Sequence, residues 1–151
     1  MVRSLGVRLE FLEFPVHCTC DGRNESPAVY LHDVDCASIA IWVTNPFIKT
    51  CCSFTPWVTW NIPATEYIPG DIPKEPVVRS PIPCIQGITS DGTVGYSGPC
   101  PPPGETHRYQ FRVYGLDSMV DVPPGSPVHD LVRAMKGHVL QYGETVALYS
   151  R

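Results

Sequence analysis

The stretch VGYSGPCPPPGETHRYQFRVYGLD, residues 94–117, holds side chains whose types and spacing could bind or react. His107 stands two residues before Tyr109 in an alternating run, so a strand would turn both toward one side. Gly98, Pro99 and Pro101 precede them: glycine lets a backbone come close, and proline fixes a loop without donating. An imidazole, a phenol and converging loop amides would together form a cup for an oxyanion. The plain alternative is that His107 caps a core face and Tyr109 belongs to the core. Cys100 shares the same unit, and a thiol near an imidazole would be a nucleophile; no third, orienting group is apparent in the sequence.

The remaining chemistry is sparser. His17, Cys18 and Cys20 in HCTC offer metal-binding groups, yet the chain has no C-x-x-C and no second spaced pair to close a tetrahedral site, so no metal and no cofactor is expected. Seven cysteines leave at least one thiol outside any internal pairing. Buried reduced cysteines acting as small apolar side chains are the leading reading of most of them. The formal net charge of −4 and only three lysines leave no basic face for nucleic acid or an anionic membrane. The first fifteen residues alternate and carry Glu10 and Glu13, unlike a secretory leader, and no run approaches the ~18 apolar residues of a membrane span. A soluble, cytoplasmic protein of one domain, residues 1–151, is expected.

Seventeen prolines and twelve glycines cut the chain into short extended pieces, the punctuation of an all-β domain. Strands are expected within 107–116, 37–44, 56–62 and 145–149, with His107, Tyr109, Phe111 and Val113 on one face of the first. Residues 68–83 carry five prolines and read as a long surface loop. One helix is expected near 127–141, with Ser126 as cap, an apolar stripe running from Val128 to Val139, and Gly143 as its end. The architecture is therefore a β-sandwich with a C-terminal helix packed on it.

Several runs in order, CDGRNESPAV (20–29), WVTWNIPA (57–64), residues 95–117, LVRAMKGHVL (131–140) and LYSR (148–151), resemble the bacterial and archaeal branch of the phosphatidylethanolamine-binding protein family, whose eukaryotic relatives include the Raf kinase inhibitor proteins. The resemblance implies a Greek-key β-sandwich of two antiparallel sheets with a small anion pocket at one end. In that family the pocket uses an aspartate-rich D-P-D-A-P stretch, a histidine before the WV…NIP strand, and the glycine, proline, histidine and tyrosine that match Gly98, Pro99, Pro101, His107 and Tyr109 here. The other half departs: Asn45 and Phe47 stand where the two aspartates would be, and Pro56 replaces the histidine. A pocket that has lost an acid should hold its imidazolium less firmly and tolerate a more apolar ligand beside Phe47.

What the resemblance implies is a non-enzymatic ligand-binding or regulatory protein taking a small anion or phospho-head-group. The second reading is an interaction module, such as a protease or kinase inhibitor, with a vestigial pocket and contacts made by 68–83 or 49–55. A homodimer is a further expectation. Cys51 and Cys52 are adjacent and cannot readily bond each other, so at least one of them is expected to be disulfide-bonded elsewhere; Cys36 is the sequence-nearest candidate, and that bridge would close a loop of about 15 residues, worth on the order of 3 kcal/mol.

Overall fold

The β-branched and aromatic runs pair into the middle of a broad sheet. The computed structural model describes residues 1–46 and 54–151, so Phe47, Cys51 and Cys52 lie outside the described residues. Ten strands occur among those described: β1 (Arg3–Ser4), β2 (Gly6–Arg8), β3 (Val29–His32), β4 (Ser38–Asn45), β5 (Phe54–Pro63), β6 (Tyr67–Ile68), β7 (Val77–Val78), β8 (Cys84–Gln86), β9 (Thr106–Leu116) and β10 (Val139–Ser150). A seven-stranded sheet runs β1-β10-β9-β4-β5-β8-β7, and β2-β3-β6 form the second sheet. All pairings are antiparallel except β1 with β10.

Alternation along the strands supplies two cores. Ile39, Ile41, Val43, Trp57, Phe111 and Val113 face the small sheet and meet Val29, Leu31 and Phe14. The opposite face of the large sheet, with Ala40, Val58 and Trp60, packs under α1 (Val128–Met135), the one α-helix among the described residues, through Leu131 and Met135. The large sheet is thus buried on both sides at its centre, which explains why β4 and β5 read as nearly continuous apolar runs. No helix among the described residues is long and apolar enough to cross a membrane.

The helix is shorter than its apolar periodicity suggests. It stops at Met135, Gly137 takes a left-handed φ of 82°, and the chain enters β10 at Val139. Val139 continues the helical spacing by coincidence, because a strand residue packed on the same core is also apolar. Ser126 does not cap α1; its hydroxyl donates to the Pro123 carbonyl. Gly143 lies inside β10 opposite Val113, where a Cβ would stand 1.9 Å from the Leu5 carbonyl oxygen. Its role is to admit β1 against β10.

The proline-rich segment 68–83 is likewise less of a loop than its composition implies. Ile72, Val78 and Ile82 are buried, and Val77–Val78 pair with β8. Gln86, fully buried, holds it: the side-chain amide donates to the carbonyls of Pro73 at 2.7 Å and Glu75 at 2.9 Å, while its oxygen accepts the Trp57 indole N–H at 2.8 Å. Gln86→Leu removes all three bonds and leaves a buried indole N–H unpaired. The expected cost is about 2–4 kcal/mol, read as a lower urea midpoint with an unchanged m-value.

Candidate ligand-binding site

Strand β9 sits between β10 and β4 and carries the site at its N-terminal end. A turn launches it. The Glu105 N–H bonds the Pro102 carbonyl, and with Pro103 second and Gly104 third at a φ of 84° this is a type II turn, which needs just those residue types. Both ends are tied to the chain terminus, since Gly104 N–H donates to the Arg151 carbonyl and Arg151 N–H to that of Glu105. Beyond the turn, Glu105, His107 and Tyr109 succeed one another at a spacing of two and enter one cavity.

The cavity has a volume of about 780 Å³, and its described lining includes Asn45, Phe54, Asp91, Ser97, Gly98 and the pair Cys20 and Cys100. His107 and Tyr109 form its floor, the His107 side chain being 12% exposed and Tyr109 buried. Each imidazole nitrogen has a partner: Nε2 lies 2.8 Å from Glu105 Oε1 and Nδ1 lies 3.1 Å from the Asn45 amide nitrogen. In the neutral ring this pairing makes Nε2–H the donor to the carboxylate and Nδ1 the acceptor of the Asn45 N–H. Burial pushes the Tyr109 phenol up to about 12, against smaller opposing effects of the Cys100 backbone and the Asn45 side chain. Its hydroxyl stays protonated at neutral pH and can donate. At the rim, Ser97 donates to the exposed Asp91 carboxylate at 3.2 Å.

Asn45 reaches the ring through a β-bulge. The β4–β5 register shifts between Val43 and Asn45, so that Asn45 pairs with Phe54 and both side chains line the cavity. Bulges re-aim side chains in this way beside binding sites.

Comparisons with known proteins place the chain in a family and match its fold. The model of the phosphatidylethanolamine-binding protein family matches residues 8–150. The chain belongs to that family. A UPF0098 protein of Pyrococcus abyssi is 41% identical over 140 residues, covering 91% of this chain and 78% of the relative. The crystal structure of Escherichia coli YbcL, described as a member of the mammalian PEBP family, superposes with a TM-score of 0.85 at 25% identity, over 98% of this chain and 99% of that one. A phosphatidylethanolamine-binding protein homologue of Chlamydia trachomatis gives 0.84 at 23% identity over 99% of both chains, a likeness of fold.

Among the residues that the family pattern singles out, the structure brings His107, Tyr109, Gly98 and Asn45 to the cavity. Pro99, Pro101 and Pro56 are buried and do not line it. Their carbonyls accept the N–H of Cys20 at 3.2 Å, the guanidinium of Arg151 at 3.3 Å and the N–H of Ser97 at 2.9 Å, respectively. Gly98 does not present its amide to a ligand, because that N–H is bound to Asn24 Oδ1 at 2.6 Å. Glycine is required there for packing: a Cβ would lie 2.2 Å from the Cys18 carbonyl oxygen. Sequence reasoning missed Glu105, although its spacing from His107 on a strand was a sufficient signal. Glu105 places a carboxylate on the imidazole.

The cysteines need correction. Cys20 and Cys100 form a disulfide, with Cα atoms 5.4 Å apart, across the cavity wall. Cys100 is therefore no free nucleophile, and these two are not reduced apolar fillers. Cys36 is a free thiol, as are the buried Cys18 and Cys84, so the candidate bridge from Cys36 is not formed. Burial, followed by the charges of Glu25 and Glu10, pushes the Cys18 thiol up to about 11, well away from reactivity. Peptide mapping without reductant should recover the Cys20–Cys100 link, and denatured protein should titrate with no more than five thiols, two fewer than the seven cysteines present. Seven reactive thiols would contradict it.

Proposed function

We propose that the protein is a non-catalytic binder of a small phosphorylated ligand that also carries a positively charged amine. The observation that carries this reading is the arrangement around His107: imidazole, Asn45 amide and Tyr109 hydroxyl at the floor, with the Glu105 and Asp91 carboxylates at the rim. A phosphoryl group suits the floor, where the phenol donates to its oxygens and the His107 Nε2–H, held by Glu105, can be shared with them. Two carboxylates repel a bare dianion and attract an ammonium a few ångströms away, so a zwitterionic head group fits better than inorganic phosphate. Family membership supports ligand binding in general, and the amine preference is read from the two acids of this chain.

The competing reading, a protease or kinase inhibitor acting through its loops, rests on two segments. Segment 68–83 is pinned by Gln86 and by Lys74, whose ammonium donates to the carbonyls of Asn24 and Tyr96. Of loop 49–55, only Phe54 and Thr55 are among the described residues. The Cys20–Cys100 bond bears on location, since such a bridge persists in an oxidising compartment or in the disulfide-rich interior of a hyperthermophile. The expected cytoplasmic setting is compatible with the second.

Titration calorimetry with phosphoethanolamine and inorganic phosphate tests the proposal. Phosphoethanolamine should bind at least about tenfold more tightly, and His107→Ala should abolish binding of both. Equal affinities would remove the amine preference. Absence of heat with either ligand would overturn the pocket reading and favour the interaction module.

A further inference from the structure

A second cavity, of about 590 Å³, lies between α1 and the outer face of the large sheet, away from the His107 site. Trp42, Tyr114, Val132, Met135 and Val139 make it mainly apolar. Three basic side chains, His129, Arg133 and Lys136, line it, and no carboxylate does so among the described residues. That is notable in a chain whose net charge is −4. Positions 129 and 133 are four apart on one face of α1, and Lys136, three further on, is the residue that caps its C-terminal end. His129 and Arg133 share the Asp130 carboxylate at 3.4 and 3.6 Å, whereas Lys136 has no ion pair among the described residues.

The apolar wall is held in place. The Trp42 indole N–H donates to Thr55 Oγ1 at 3.2 Å, and the Arg112 guanidinium sits 5.1 Å from its ring centroid. The ring therefore forms a fixed wall rather than a loose side chain that folds into the gap. Val132, 42% exposed on the helix, forms the opposite lip. A concave apolar slot with a few convergent polar groups and a volume within about 300–1,000 Å³ is the usual form of a small-molecule site.

We infer that this groove binds a single-chain amphiphile with an anionic head group. The tail lies over Trp42, Tyr114 and Val139, and the carboxylate or phosphate meets Lys136 and Arg133. Charge complementarity carries the assignment, because the charged side chains that line the groove are basic and the Trp42 face is already met by the Arg112 guanidinium. It is independent of the His107 site.

Trp42 also reports on the site. Of the three tryptophans, Trp57 and Trp60 are fully buried, so surface quenching reads Trp42. Decanoate, decyl phosphate and decyltrimethylammonium share one tail and differ in head group, and each is titrated by fluorescence and calorimetry. The two anions should quench saturably, the better of them identifying the head group. Both should weaken at least about tenfold in Arg133→Glu/Lys136→Glu. Trp42→Phe should lose the optical signal but keep the calorimetric one. Equal binding of the cation, or affinity unchanged by the charge reversal in a variant with native circular dichroism, overturns the inference. So does decanoate binding that vanishes in His107→Ala, which places it in the first cavity. A dimer by light scattering that Val132→Glu dissociates, with no quenching by decanoate, overturns it in favour of a second copy.

Discussion

Gly98 has no room for a side chain, and the cavity exists because of that. Two segments far apart in sequence, residues 16–25 and 96–102, approach so closely that Gly98 lies against the Cys18 and Thr19 backbone. The approach is fastened several times: Tyr96 hydroxyl to Cys18 carbonyl, Gly98 N–H to Asn24, Cys20 N–H to Pro99 carbonyl, and the disulfide. Tyr149 and Arg151 both bind Asp21, drawing the end of β10 into the same junction. A bond closing a sequence separation of 80 is worth about 4.5 kcal/mol in the chain-entropy model. That is a large fraction of a typical domain's stability of about 5–15 kcal/mol. Adding one methyl at Gly98 would oppose all of these fastenings at once.

With the junction fixed, the turn from Pro102 to Glu105 has one way to enter β9, and β9 carries the chemistry. Its central place between β10 and β4 holds His107 and Tyr109 in a packed sheet, with Phe14 edge-on to Tyr109 at 5.5 Å. His107 meets an amide in Asn45 and also a carboxylate. The carboxylate comes from Glu105, two residues earlier, at the end of the turn that launches β9. An acid at the rim rather than the floor is what the proposed amine-bearing ligand rests on.

Much of this was legible before the structure. Strand β9 and its inward face follow from alternation, β4 and β5 from their β-branched and aromatic content, and the fold from the ordered family motifs. Helix α1 was found but overextended, since Val139 satisfies a helical period and a buried strand position equally. Gly143 and Gly98 were read by local rules, one as a helix stop and the other as a ligand-facing loop residue. Both answer to a backbone from elsewhere in the chain, Leu5 and Cys18, and no local spacing reveals that. The disulfide was hidden for the same reason: seven cysteines admit many pairings, and the partner of Cys100 is decided by the fold. Glu105 is the exception, a residue that period-two reasoning places correctly once His107 is under scrutiny.

A crystal structure of the protein with phosphoethanolamine tests the central claim most directly. The account predicts the phosphoryl group within hydrogen-bond distance of both His107 and the Tyr109 hydroxyl, with the ammonium beside Glu105 or Asp91. A ligand bound in the opposite sense, with its ammonium on His107, or one held outside this cavity altogether, would contradict it.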